Sequence, residues 1–388
     1  MTTTPRPVTY LDASATAPLR DEARAAMTNA IGMANPSSVH AAGRDARRLL
    51  EEARADVLAT VGIDVGRVVF TSGATEAAAL ALTPDYALGR GSVRFERLLV
   101  GATEHPCVLA GGRFAPRSVA TIPVDRRGVL DLQWLEHALG EGGPALVAAM
   151  LVNNETGVIQ PIAEIGRMVR AKGGALVCDA AQGPGKVELA APIAEADMTI
   201  LSSHKAGGPM GAGALVLRGG QLVPGALLRG GAQEDGLRAG TENVAAIAGF
   251  AAALRSLPDA TARERVGSLR NRFETGLRRV APTATIHAAE APRAPNTSLF
   301  SFATIAGETA QIAFDLDGVA VSSGSACASG KVGRSHVLDA MGLRGPGAVR
   351  ISLSVENDVE DIDRALATAA RLGARDVEKS TARRAAAA

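Results

Sequence analysis

The chain has 388 residues, 47% of them hydrophobic, and its 41 basic and 40 acidic side chains leave a net charge of +1. That length exceeds what one core usually carries, so two domains are expected, and the balanced charge argues against a general nucleic-acid or membrane surface. Three unclustered cysteines (Cys107, Cys178, Cys327) suit a reducing compartment, six scattered histidines offer no metal-ligand spacing, and neither an apolar leader nor a bilayer-length apolar run is present, so a metal-free cytoplasmic enzyme is expected.

In chain order, the segment 11–18 leads into a helix over 21–31. A turn-rich loop, Asn35 to His40, then precedes a long amphipathic helix over 41–61. From Arg67 short apolar segments recur at 68–70, 98–100, 146–152, 175–178 and 198–201, most of them running into helix-like stretches. Continuous rather than alternating apolar strands are buried on both faces, so the pattern predicts an α/β fold with a mostly parallel sheet between helices. Ligands bind such sheets beyond the carboxyl ends of the strands.

Those ends carry polar residues. After 68–70 stands Thr71-Ser72-Gly73-Ala74-Thr75-Glu76, where Ala74 and Thr75 at a helix start are phosphate-cup candidates, or where Ser72 or Thr75 simply caps the helix. After 98–100 stands Thr103-Glu104-His105, whose imidazole is either structural or able to stack on an aromatic cofactor and move protons. After 146–152 stands Asn153-Asn154-Glu155, two amides that orient a ligand or cap the next helix. After 175–178 stands Asp179-Ala180-Ala181-Gln182. A carboxylate there needs a positive partner, either an arginine or a protonated pyridine nitrogen, and Gln182 is placed to bond a ring hydroxyl. After 198–201 stands Ser202-Ser203-His204-Lys205 and a glycine-rich run. A lysine that follows a buried strand is either an ordinary surface lysine in a loop or a Schiff-base candidate, and the aldehyde cofactor built for that chemistry is pyridoxal phosphate.

Taken together, Thr71 to Glu76, Thr103 to His105, Asn153 to Gly157, Asp179 to Gln182 with Gly185-Lys186, and Ser203 to Lys205 resemble, in order, the motifs of the class V aminotransferases of fold type I. Within that family the chain is most similar to cysteine desulfurases of the NifS and IscS type. The resemblance implies a large domain with a seven-stranded sheet and a smaller α+β C-terminal domain. It makes Lys205 the Schiff-base lysine and gives the cofactor phosphate to Ala74, Thr75, Ser202 or Ser203, and His204. His105 would stack on the ring, Asp179 would pair with its nitrogen, and Gln182 and Asn154 would position its oxygen and the substrate. The segment 230–241 resembles a loop that crosses a homodimer to bring Thr241 to the neighbour's phosphate, with Ala232 and Asp235 departing from the family's glycine and basic residue.

An alanine-rich helix from Asn243 to about Leu254 closes the large domain, and Leu257-Pro258-Asp259 reads as the boundary. The expected division is 1–15 as an N-terminal segment on the small domain, 16–255 as the cofactor-binding domain and 256–388 as the small domain. The latter would hold a long basic helix to about Val280, a strand near 296–302 and a frayed tail over 379–388. Its sequence Ser322-Ser323-Gly324-Ser325-Ala326-Cys327 lacks the apolar neighbours that bury a cysteine, so an accessible loop is expected. The stretch resembles the family's nucleophile motif. Arg350, in a strand over 349–353, resembles the arginine that forks onto the substrate carboxylate. The resemblance thus implies conversion of L-cysteine to alanine with a persulfide on Cys327, and delivery to a sulfur-acceptor protein for iron-sulfur cluster assembly or for cofactor or tRNA thiolation. A selenocysteine lyase or another class V aminotransferase, and a non-catalytic binding protein on the same fold, are the alternatives.

Overall fold

The computed structural model describes residues 8–323 and 335–387, the last five as backbone only. Its main element is a seven-stranded sheet. In spatial order the strands are Gly66–Thr71, Gly213–Arg218, Met198–Ser202, Ala175–Asp179, Ala145–Met150, Arg97–Gly101 and Val119–Ile122. The five from Met198–Ser202 onward pair in parallel, and Gly213–Arg218 runs antiparallel to both its neighbours. All five apolar segments seen in the sequence are strands of this sheet. The antiparallel Gly213–Arg218 is hidden in the sequence because it comes after a glycine-rich stretch with no helix before it.

Burial on both faces explains the unbroken apolar runs. Val68, Phe70, Leu99, Val147, Leu176, Cys178 and Leu201 enter one core, against the Ala41–Thr60, Ile162–Ala171 and Val244–Arg255 helices. The residues between them, Val69, Leu98, Val100, Leu146, Val177 and Ile200, enter a second core under the Ala74–Ala81 helix. Successive strand residues point to opposite faces, so each strand feeds both cores. A separate three-stranded meander, Leu222–Pro224, Asp85–Leu88 and Gly91–Arg94, flanks the second core. Its strands are only three or four residues long, with no long apolar run to announce them.

A third core lies beneath a four-stranded antiparallel sheet ordered Thr285–His287, Thr297–Ser301, Val349–Ser352 and Ser322–Ser323. Phe300 is its centre, with ring centroids of Phe273, Phe302 and Phe314 at 5.4, 5.8 and 6.3 Å. The start of the chain belongs here as well. Thr9–Tyr10 pairs with Val319–Ala320, Leu11 is fully buried in the third core, and Asp12 bridges to Ser352.

The tail departs from expectation. The sequence predicts a frayed stretch over 379–388, of which residues 379–387 are described, and they continue the helix Val359–Ala387. Alanine has the highest intrinsic helix propensity, and low complexity of this kind extends a helix instead of ending it. The helix is held by Asp376, fully buried, whose carboxylate accepts from the Thr283 hydroxyl (2.6 Å), Ala303 N (2.9 Å), Thr304 N (2.7 Å) and the Thr304 hydroxyl (2.6 Å). Burial works to raise its pKa, but these four donors overcome it and hold it below the ordinary value.

We expect Asp376→Asn to destabilise the protein by about 1–3 kcal/mol, read as a lower urea midpoint. Because the native pKa is depressed, the wild-type contribution is present above about pH 4 and is lost as pH falls below it, so the two proteins converge in acid.

Candidate active site

The carboxyl ends of the parallel strands open into a cavity of about 500 Å3, within the range of about 300–1,000 Å3 that holds small ligands and cofactors. Of the candidate residues, Ala74, Thr75, His105, Asn154, Asp179, Gln182, Ser202, His204 and Lys205 line it. Ser203, Thr241 and Arg350 do not.

The register of the sheet brings these residues together. Asp179 is level with Met150 on one side and Ile200 on the other, and Ser202 is level with Gly213, itself level with Thr71. Neighbouring strands therefore stop at one edge. Gly213 keeps the Thr71–Ala74 turn in place, since a Cβ there would lie 2.7 Å from the Gly73 backbone. The Ala74–Ala81 helix starts at that turn, so its first-turn N–H groups, which have no carbonyl one turn earlier, face an electropositive end of the cavity. Beyond Lys205, Gly207 turns the chain with φ +86°, a left-handed conformation in which an added Cβ would also crowd Arg20.

Asp179 is buried, and its Oδ1 accepts from Ala181 N at 2.9 Å. Among the described residues it has no ion-pair partner, so the arginine pairing weighed from the sequence is not made. Glu104 lies fully buried nearby, its Oε1 accepting from Met150 N at 2.7 Å and its Oε2 without a partner among the described residues. Burial first, and the Asp179 charge second, push Glu104 well above the ordinary carboxylate range.

His105 caps the short Pro106–Leu109 helix, its Nδ1 accepting from Cys107 N at 3.3 Å. That bond leaves the proton of the neutral ring on Nε2. Burial, then the charge of Lys205, lower its pKa. His204 is pushed down to about 4 by burial, Lys205 and Lys186, and its Nδ1 meets the Thr16 hydroxyl at 3.0 Å. Both imidazoles are neutral at pH 7. Gln182 is fixed from two sides, with Nε2 donating to Ser14 O at 2.8 Å and Oε1 accepting from the buried Lys186 amine. Burial, followed by the charges of Lys205 and Arg350, lowers Lys186 far below a normal lysine.

Ser203 comes directly after Ser202 but turns away from the cavity. Its hydroxyl is buried with no partner among the described residues, and a Cβ on Gly208 would collide with it. Thr241 is exposed. Its loop is instead tied down through Glu234, which takes Arg54 at 2.7 and 2.9 Å and Phe70 N at 2.8 Å. Arg350 is buried behind Asn154, donating to Asn154 O at 2.7 Å and to Asp12 Oδ1 at 2.6 Å. Cys327 falls outside the described residues.

Sequence reasoning missed the N-terminal contribution. Ser14, Ala15 and Thr16 line the cavity, although 11–18 reads only as a leading segment; the small polar residues of Ser14-Ala15-Thr16 were the available signal. Cys107 lines the cavity too. Among the described residues no cluster of His, Cys, Asp and Glu could hold a metal ion, and no helix is long and apolar enough to cross a membrane. The arrangement can hold a planar group with an anion at the Ala74–Ala81 helix and a cationic centre against Asp179.

The family model described as "Aminotransferase class-V" matches residues 9–365. The chain is 35% identical to the cysteine desulfurase IscS of Dictyoglomus turgidum, over 91% of each chain. It is 40% identical to a cysteine desulfurase of Cereibacter sphaeroides, over 92% of this chain and 93% of that one. The solved NifS-like protein of Rickettsia africae superposes with a TM-score of 0.84 at 31% identity, covering 94% of this chain and 98% of that one. The chain belongs to the class V aminotransferase family, and within it to the cysteine desulfurases of the NifS and IscS type.

Burial, reinforced by Asp179, pushes the Cys107 thiol up to about 12, and Cys178 is raised as well by full burial. In native protein at pH 8 we expect iodoacetamide to label both at least about a thousandfold more slowly than a free thiol, by peptide mass spectrometry, and unfolding to abolish the difference.

Proposed function

We propose that this protein is a pyridoxal phosphate-dependent cysteine desulfurase that converts L-cysteine to L-alanine and retains the sulfur as a persulfide on Cys327. The observation that carries the reading is a single cavity in which a buried carboxylate that makes no ion pair among the described residues, Asp179, lies with Lys205 and the start of the Ala74–Ala81 helix. Pyridoxal phosphate answers that donor set: a phosphate for the helix N-terminus, Thr75, Ser202 and His204, a pyridine nitrogen for Asp179 and an aldehyde for Lys205. When bound, it supplies the electron sink that weakens the bonds at the α-carbon and β-carbon of cysteine.

The chain's own groups do the rest. The Asp179 carboxylate holds a proton on the ring nitrogen by pairing with it. Gln182, its amide oxygen already engaged by Lys186, can offer only N–H to the ring oxygen. His105 would stand against the ring, with the proton of its neutral imidazole on Nε2. Lys205 carries protons to and from the substrate. Arg350, whose buried Nε lacks a partner among the described residues, takes the substrate carboxylate with Asn154 beside it. The Cys327 thiolate attacks the substrate sulfur, the carbon–sulfur bond breaks with its electron pair going to the carbon fragment, and protonation yields alanine.

In this reading the chain divides at 1–15, 16–255 and 256–388, with Cys327 on the small domain. The protein acts as a cytoplasmic homodimer in which Thr241 reaches the neighbour's phosphate site. A sulfur-acceptor protein, of iron-sulfur assembly or a thiolation pathway, takes the persulfide. With pyridoxal phosphate, L-cysteine and a thiol reductant, alanine and sulfide are expected in equal amounts. Lys205→Ala and Cys327→Ala should each lower sulfide release by at least about a hundredfold. A keto acid in place of sulfide, or full desulfuration by Cys327→Ala, would replace this reading by an aminotransferase or a lyase.

A further inference from the structure

Arg350, assigned above to the substrate carboxylate, is itself held by a residue that no motif singles out. Asp12 lies on the N-terminal segment, one residue beyond the fully buried Leu11 and bridged to Ser352 of the Val349–Ser352 strand. Its Oδ1 takes Arg350 Nη2 at 2.6 Å, and its Oδ2 takes the Ser322 hydroxyl at 2.8 Å from the neighbouring strand. Asn154 O holds Nη1 of the same guanidinium at 2.7 Å. Arg350 is thus gripped at both terminal nitrogens, while Nε is buried with no partner among the described residues. A buried donor in that state costs free energy until a ligand meets it.

The two bonds have a directional consequence. A guanidinium is a rigid planar fork, so fixing both terminal nitrogens fixes its plane and the direction in which the remaining donors point. Asp12 also supplies the counter-charge that lets an arginine only 2% exposed persist before any substrate arrives. Its own position is over-determined by the Ser322 bond and the Ser352 bridge, so it acts as a fixed strut.

We propose that Asp12 is a positioning residue for substrate recognition: it presets the plane of Arg350 so that a substrate α-carboxylate meets an already aligned donor, and through Ser322 it ties that alignment to the adjoining strand. Asp12 does not touch the substrate. The inference rests on Arg350 being the carboxylate-binding residue, and its test keeps the two apart.

The experiment uses the holoenzyme with L-cysteine as substrate and cysteamine, the same molecule without the carboxylate, as inhibitor. For Asp12→Ala we expect the KM for L-cysteine to rise by about 10-fold to 100-fold, the size of a lost charge-assisted hydrogen bond. The inhibition constant for cysteamine and the visible absorption of the bound cofactor should stay as in wild type. Asp12→Asn, which keeps an acceptor for Arg350 Nη2, should recover part of the KM, and it stands in should the alanine variant fail to fold. The inference is overturned if the cysteamine constant rises in step with the KM, as a general structural role would require, or if the KM does not move. Arg350→Lys is the control. If it leaves the discrimination between cysteine and cysteamine intact, Arg350 is not the carboxylate site and the underlying reading fails; if it removes the discrimination while Asp12→Ala does not, only the role of Asp12 fails.

Discussion

A carboxylate buried at the end of a buried strand, with no cation paired to it among the described residues, is the constraint around which this molecule is arranged. Asp179 can stay in that position only if something positive occupies the cavity with it or if the surrounding field favours its charge. Lys205 shares the cavity with it, and the charges of Lys205 and Arg350 both reach the buried Lys186 and depress its basicity. Competing negative charge is disfavoured, since burial and Asp179 both push the Glu104 carboxyl upward.

The sheet is what allows this distribution of charge. Strands covered on both faces leave their ends as the polar opening into the core, and the parallel pairing lines those ends up at a single edge. Side chains from five separated stretches then meet without long loops. The N-terminal segment completes the wall by running from the third core, where Leu11 is anchored, past Arg350 and into the cavity at Ser14 to Thr16. One continuous strip of backbone thereby connects the four-stranded sheet with the cofactor-sized cavity.

Much of this was legible from the residues. The five apolar runs and the polar groups after them point to both the sheet and most of the cavity wall, because burial on two faces writes itself into unbroken hydrophobic stretches. The strand Gly213–Arg218 and the Asp85–Leu88 meander escape, the first for want of a helix before it and the second because its residues are largely exposed. The orientation of Ser203 is unreadable from sequence, since two consecutive serines at a strand end point to opposite sides and only the register decides which. Asp12 and Glu104 go unnoticed for a different reason. Their roles come from partners 338 and 46 residues away, separations at which spacing carries no signal. The tail shows the reverse error over 379–387, where compositional simplicity reads as fraying although it is helix propensity.

Two amines, the buried Lys186 and the half-buried Lys205, compete for the aldehyde cofactor, and the whole site turns on which of them takes it. Lys186 is buried and of low basicity, as a Schiff-base lysine should be, but it is spent on Gln182. Lys205 lines the cavity beside Asp179. Borohydride reduction of the protein saturated with pyridoxal phosphate, then peptide mass mapping, fixes the cofactor to the amine it has joined. The cavity predicts the adduct on Lys205 alone. An adduct on Lys186, or none on either lysine, would contradict the assignment of the site.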